Sequence, residues 1–195
     1  MDIFVFGTLR SDTLRKIVLG RDMSSDDICR ATIKDFRVYW AKEGPFPVMI
    51  PEPNSETHGL VLRNLSEPDI ERLNYYELGF DYVLAPTSVE THAGQIEVSA
   101  YFCNRSDMAT TKLWSFNDWL SDHSEIQYLA AQEFLDFFGT KFGDTAQVMY
   151  NSILKRAEVF VSESSAPTSA LEFGPDMKTN IQVEELKREY LGFFA

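Results

Sequence analysis

Apolar and polar positions change rhythm about halfway along this chain. Residues 2–6 (DIFVF) form a short apolar run closed by Gly7, the pattern of a buried strand. Ser11 then stands where a helix N-cap belongs. Leu14, Ile17 and Val18 fall on one helical face, and Gly20 is placed to stop that helix. Residues 21–28 are polar and read as loop, and residues 29–40 (CRATIKDFRVYW) alternate as a bent strand. Residues 44–53 are proline-rich, with Val48, Met49 and Ile50 as a short edge strand, because proline is confined to strand edges and ends. Pro47, after Phe46, is a candidate for a cis peptide. Residues 57–63 make a further strand, and Ser66 opens a helix through about Tyr76. Two more strands, 81–91 and 95–103, are joined by a tight turn at His92-Ala93-Gly94.

Beyond residue 105 the period becomes helical. The pattern predicts helices over 108–121 and 124–138, the second carrying Ile126, Leu129, Ala130, Phe134, Phe137 and Phe138 close to one face. A third runs from a cap at Asp144 to about Val161, and a fourth from Asn180 to about Leu191, with 162–176 as a linker between them. The expected organisation is an α/β domain over 1–105 and a helical extension over 106–195. The Phe-rich helix faces need cover, since contiguous exposed apolar patches are rare on monomers. Packing onto the first domain is the favoured cover. A homodimer, or association with another enzyme domain through the helical region, remains open.

Composition narrows the function class. A hydrophobic fraction of 44% and an aromatic fraction of 13% suit a well-filled core rather than a disordered chain. A formal net charge of -12 repels a phosphate backbone, which disfavours nucleic acid and anionic membrane as partners. The two cysteines, Cys29 and Cys103, have no metal-ligand spacing, and no apolar run approaches the ~20 residues that span a bilayer. With no signal-peptide pattern at the start, a cytoplasmic protein is the simplest reading.

Two short stretches carry candidate chemistry. Phe6-Gly7-Thr8-Leu9-Arg10 is a strand end running into a glycine turn, where several backbone N–H groups point one way and can hold a carboxylate or a developing oxyanion. Leu73 to Tyr82 (LNYYELGFDY) sets Glu77 at a helix end among aromatic residues, where loss of water would raise its pKa and make it a better base. Taken singly, the first is also the pattern of an ordinary turn and the second that of a solvent-facing glutamate.

In order and spacing, three stretches resemble the γ-glutamylcyclotransferase family with its AIG2-like branch. They are VFGTLR (5–10), FPVMIPEPNSETHGLVLRNL (46–65) and LNYYELGFDYVLAPTSVE (73–90), with Ala100-Tyr101-Phe102 at the hairpin end. The resemblance covers roughly residues 1–104. It implies an α+β fold, a small mixed β-barrel-like domain with short helices and a cavity. It also implies a reaction in which a substrate's α-amine attacks its own γ-glutamyl carbonyl, closing 5-oxoproline and expelling an amine or amino acid. Glu77 would be the base. The backbone of Phe6, Gly7, Thr8 and Leu9 would hold the substrate, Arg10 would anchor a carboxylate, and Tyr82 would orient Glu77 or bind substrate. The partner implied is a small γ-glutamyl molecule, and no metal or organic cofactor is required. The chain departs from the family pattern at Phe6, Asn74, Leu78 and Leu84. These changes leave the base in place and the leaving amine open, and they keep a non-catalytic ligand-binding or regulatory module in view as the alternative.

Overall fold

The structure is a computed structural model and describes residues 1–77, 82–139 and 146–164. The expected cap at Asp144, most of the linker and the helix over 180–191 lie outside the described residues. Among the described residues no helix is long and apolar enough to cross a membrane.

Strand β1 (Ile3–Val5) explains the opening apolar run. It pairs antiparallel with β3 (Pro47–Leu62) and parallel with β5 (Gly94–Cys103). Its side chains alternate between two interiors. Phe4 and Phe6 belong to one apolar cluster with Ile33, Met49, Val61 and Val98, while Ile3 and Val5 belong to another with the helices. A strand covered on both faces loses the polar half of its alternation.

Strands β2 (Ile28–Ala41) and β4 (Tyr82–Thr91) complete the sheet, in the order β3-β1-β5-β4-β2, and β2 also pairs with β3. Five strands therefore close a mixed barrel, which removes the exposed edges of an open sheet. The β2–β3 pairing is the longest, running from Ile28↔Leu62 to Trp40↔Pro47 with a bulge between Lys34 and Phe36. At that bulge Asp35 takes a φ of 60°, and its carboxylate accepts from the Asn54 N–H at 2.8 Å. β3 is one strand where the sequence suggested two. It touches β1 only through residues 60–62, so its first part pairs on one side and tolerates Pro51 and Pro53. The Phe46–Pro47 peptide is trans, the ordinary state of such a bond, which corrects the cis expectation.

The first helix, α1 (Asp12–Leu19), starts and stops where its sequence says. The Ser11 hydroxyl accepts from the Leu14 N–H at 3.3 Å, and Gly20 closes the helix at φ 70°. Helix α2 (Glu67–Glu77) begins with a reciprocal cap, in which Ser66 N–H donates to Asp69 at 2.8 Å and Asp69 N–H donates to the Ser66 hydroxyl at 3.4 Å.

Residues 109–113, expected to be helical, form strand β6 on the outer part of β2, with Ala41↔Ala109 and Tyr39↔Leu113. Thr110 and Thr111 suit a strand, and pairing with β2 outweighs local helical propensity there. Three helices follow, α3 (Phe116–Asp122), α4 (Ser124–Leu135) and α5 (Ala146–Ser164). The buried face of α4 carries Gln127, Ala130, Ala131, Phe134 and Leu135, whereas Leu129, expected on that face, is exposed. Trp119, Phe134 and Ile153 share one buried cluster with Ile3, Leu14 and Leu73, so the apolar core runs without interruption across residue 105.

Gly59 marks the tightest point of the barrel wall. A Cβ there would stand 2.4 Å from the Val5 carbonyl oxygen and 2.6 Å from the Phe4 ring. Gly59→Ala should therefore lower unfolding stability by about 1–3 kcal/mol, as overpacking against backbone does. Denaturant titration would check it, and an unchanged midpoint would contradict this account.

Candidate active site

Helix α2 ends on Glu77, and three sets of contacts fix that end. At its start, Asp69 is buried and accepts from the Arg21 guanidinium at 2.8 and 2.7 Å, and this pairing holds its carboxyl well below the usual range. In its middle, Arg72 donates to the carbonyls of Val18 and Ile17 at 2.7 and 3.3 Å, satisfying the last turn of α1. One turn before the end, Asn74 accepts from the Tyr101 hydroxyl at 2.8 Å, tying α2 to β5. Asn74, a departure from the family pattern, is thus the docking point between helix and barrel.

The last residue of α2 opens into a cavity of about 120 Å³. Its walls come from five places. They are the strand end and turn at Phe6-Gly7-Thr8-Leu9, the loop from Glu43 to Pro47, Tyr76 with Glu77, the barrel tyrosines Tyr82 and Tyr101, and the helix residues Gln127, Tyr150 and Asn151. Among the described lining residues there is no lysine or arginine. Burial alone pushes the Glu77 carboxyl up to about 7. Burial first, and the Glu77 charge after it, push the phenols of Tyr76, Tyr82, Tyr101 and Tyr150 upward, Tyr150 to about 12. At neutral pH these four stay protonated, and Glu77 is poised between its two forms.

The phenols are themselves held. The Tyr76 hydroxyl is hydrogen-bonded to Tyr150, and the Tyr150 hydroxyl donates to Gln127 Oε1 at 3.2 Å. The Tyr82 hydroxyl donates to the Pro47 carbonyl at 2.7 Å. Tyr82 therefore secures the loop wall, and its hydroxyl is spent on that bond rather than on Glu77. Gly7 meets the same wall. A Cβ on it would lie 2.4 Å from Pro47 Cγ, and its own φ is -109°, so glycine is needed here for close approach rather than for a left-handed backbone.

After Gly7 the chain makes one tight turn over Thr8–Arg10. The Arg10 N–H donates to the Gly7 carbonyl at 3.1 Å and the Ser11 N–H to the Thr8 carbonyl at 3.0 Å. The N–H groups at the start of such a turn have no partner within it. Phe6, Gly7, Thr8, Leu9 and Tyr82 thus stand with Glu77 around one cavity. Arg10 does not line it. Its guanidinium lies 4.5 Å from the centre of the Phe116 ring and faces a different hollow.

Sequence reasoning missed Gln127, Tyr150 and Asn151, because periodicity marks a helix's buried side without saying which buried residue faces a cavity. It also missed the wall formed by Glu43–Pro47. The sequence marked residues 44–53 only as proline-rich, and the close approach of Pro47 to Gly7 shows what that stretch serves.

A mixed five-stranded barrel with a carboxylic acid sunk in its mouth, opposite a glycine turn, defines a small class of proteins. The profile of the family described as "Gamma-glutamyl cyclotransferase, AIG2-like" matches residues 3–121, and the chain belongs to that family. It is 26% identical over 138 residues to AIG2-like protein B of Arabidopsis thaliana, covering 69% of this chain and 78% of the relative. It is 24% identical over 173 residues to Protein AIG2 A of the same plant, covering 87% and 94%. A solution structure from Arabidopsis thaliana shares the fold, with a TM-score of 0.51 at 20% identity over 89% of this chain and 94% of that one.

The raised Glu77 acidity has a consequence for stability. A carboxyl whose folded pKa lies near 7, against an ordinary value of 4.5, binds its proton more tightly when folded. That contribution is complete below about pH 4 and is lost as pH rises through 7. Glu77→Gln should therefore match the wild type near pH 4 and exceed it at pH 8, by on the order of 1–3 kcal/mol. Thermal unfolding at the two pH values tests this, and equal stability at pH 8 would contradict the buried placement of the carboxyl.

Proposed function

We propose that the chain is a γ-glutamyl cyclotransferase that closes the γ-glutamyl group of a small amine or amino-acid conjugate to 5-oxoproline. The observation that carries this reading is Glu77, a carboxyl with a pKa near 7 in a cavity bordered by the Gly7–Leu9 turn. Membership of the family supports it.

The chemistry needs no protein nucleophile. The substrate's α-ammonium loses a proton to the Glu77 carboxylate, and the freed nitrogen attacks the γ-carbonyl carbon of the same molecule. A five-membered ring forms as the carbonyl oxygen takes up negative charge, which the backbone N–H groups of Thr8 and Leu9 stabilise. The bond from that carbon to the leaving nitrogen then breaks while Glu77 returns its proton to that nitrogen. The ring nitrogen's second proton passes through the regenerated carboxylate to the departing amine, which leaves as an ammonium beside the neutral lactam. One carboxyl with a pKa near the working pH serves each of these transfers. The narrow cavity supplies the rest, holding the glutamyl arm folded so that attack is effectively unimolecular. Tyr150 and Gln127 support the Glu77 side of the cavity, with Tyr150 holding the Tyr76 hydroxyl.

A second reading is favoured by one observation. Phe6, a departure from the family pattern that lines the cavity, carries no hydroxyl, which fits a cavity that holds a γ-glutamyl ligand without turning it over.

Release of 5-oxoproline from a panel of γ-glutamyl amines and γ-glutamyl amino acids tests the proposal. The expected outcome is turnover that rises with pH through about 7, as Glu77 becomes a carboxylate, and that falls at least ~100-fold in Glu77→Gln. Tyr150→Phe should lower kcat by about tenfold with little change in KM, because it frees Tyr76 without opening the cavity. Saturable binding of the panel without 5-oxoproline release would favour the second reading, and turnover unaffected by Glu77→Gln would remove Glu77 from the mechanism.

A further inference from the structure

The turn from Gly7 to Arg10 contributes to two hollows. Thr8 and Leu9 line the Glu77 cavity, while Arg10 lines an open groove of about 950 Å³ on the outside of the barrel. We propose that this groove binds a small multivalent anion, a phosphorylated or polycarboxylate metabolite, gripped by Arg10 and Arg30.

The first argument is charge accounting. Half of the Lys and Arg side chains among the described residues have a carboxylate within ion-pair distance. Arg21, Arg37, Lys16 and Lys34 each pair with one, at 2.7, 2.7, 2.9 and 2.8 Å, and Arg15 pairs with Asp12. Among the described residues, no carboxylate pairs with Arg10 or Arg30, and both face this groove. The one acidic side chain on the groove, Glu90, is tied to Lys34 at 3.4 Å.

Burial gives the second argument. Arg10 is half-buried with its guanidinium 4.5 Å from the centre of the Phe116 ring, and loss of water lowers its pKa. A desolvated cation without a counter-charge is costly, and an anion in the groove would supply the missing charge. The planar group, held on the ring, keeps its N–H edges available for bidentate contact with phosphate or carboxylate.

Register gives the third. Ala31 and Ile33 face the barrel interior, so Arg30 and Thr32 face outward beside Leu60 and His58, their partners across the β2–β3 pairing. His58 is oriented by a 3.0 Å hydrogen bond with Thr32, with its Nε2 3.8 Å from Glu56, and His92 stands at the adjoining turn. Two guanidinium groups and two imidazoles thus surround a partly apolar floor, Arg30 and His58 on paired strands and Arg10 and His92 on tight turns. That composition, at a volume typical of small-molecule sites, suits a compact polyanion.

Isothermal titration of the whole chain with pyrophosphate and, separately, with citrate tests the proposal at low ionic strength, where exposed charges are least screened. The expected result is saturable one-to-one binding of at least one probe, and the tighter of the two identifies phosphoryl or carboxylate chemistry. Arg30→Gln should weaken it about tenfold, the loss of one charge-assisted contact. Arg30 is exposed, so this replacement leaves the core intact, and Arg10→Gln should weaken binding at least as much. Lys155→Gln, which removes the same charge from an exposed position of α5 outside the groove, should leave affinity unchanged. The proposal is overturned if neither probe saturates, if Arg30→Gln binds as tightly as the wild type, or if Lys155→Gln weakens binding as much as Arg30→Gln.

Discussion

A carboxyl group kept in a cavity with no cation among its described lining residues sets the terms for the structure around Glu77. Such a group gains nothing from its own burial. Desolvation pushes its pKa up to about 7, and the rest of the fold must hold it there. The work falls to contacts at some distance from the carboxyl. Asp69 takes the Arg21 guanidinium, Arg72 closes the last turn of α1, and Asn74 takes the Tyr101 hydroxyl. Each satisfies polar groups that would otherwise be left unpaired, and each also fixes the direction in which α2 ends. The position of the base is therefore a property of the helix's anchoring, not of any bond to the base itself.

The opposite wall follows a different logic. Around Gly7 the cavity is shaped by exclusion. The missing side chain lets Pro47 close on the turn, and the Tyr82 hydroxyl pins the Pro47 carbonyl from the barrel side. Glycine, proline and tyrosine make a rigid wall here without placing a charge in it. Loss of water inside the enclosed cavity is what keeps the Glu77 pKa near neutrality.

The parts of this arrangement that local sequence encodes were legible without coordinates. The apolar run before Gly7, the Ser11 and Gly20 caps and the two-residue hairpin turn are short-range signals, and their elements start and stop within about two residues of the pattern. Strand β6 was not legible, because residues 109–113 pair with only a few positions of β2 and run directly into the helical stretch that follows. The single long β3 was hidden by its own prolines, tolerated because one side of its first part is unpaired. At the site, the motif order brought Glu77 and residues 6–9 together. Tyr150 and Gln127 could not be foreseen, since cavity-facing and core-facing positions of a buried helix share one periodicity. Tyr82 pointed the right way for a different reason, its hydroxyl being committed to Pro47.

Arg10 shows the limit of motif reading most clearly. A basic residue directly after a glycine turn suggests a carboxylate anchor, yet successive residues of a tight turn point in different directions. Thr8 and Leu9 go to the cavity and Arg10 goes to the outer groove. Adjacency along the chain therefore separates the two hollows instead of joining their functions. The turn's hydrogen bonds run from the Arg10 N–H to the Gly7 carbonyl and from the Ser11 N–H to the Thr8 carbonyl, so the segment that borders the cavity is also one edge of the groove.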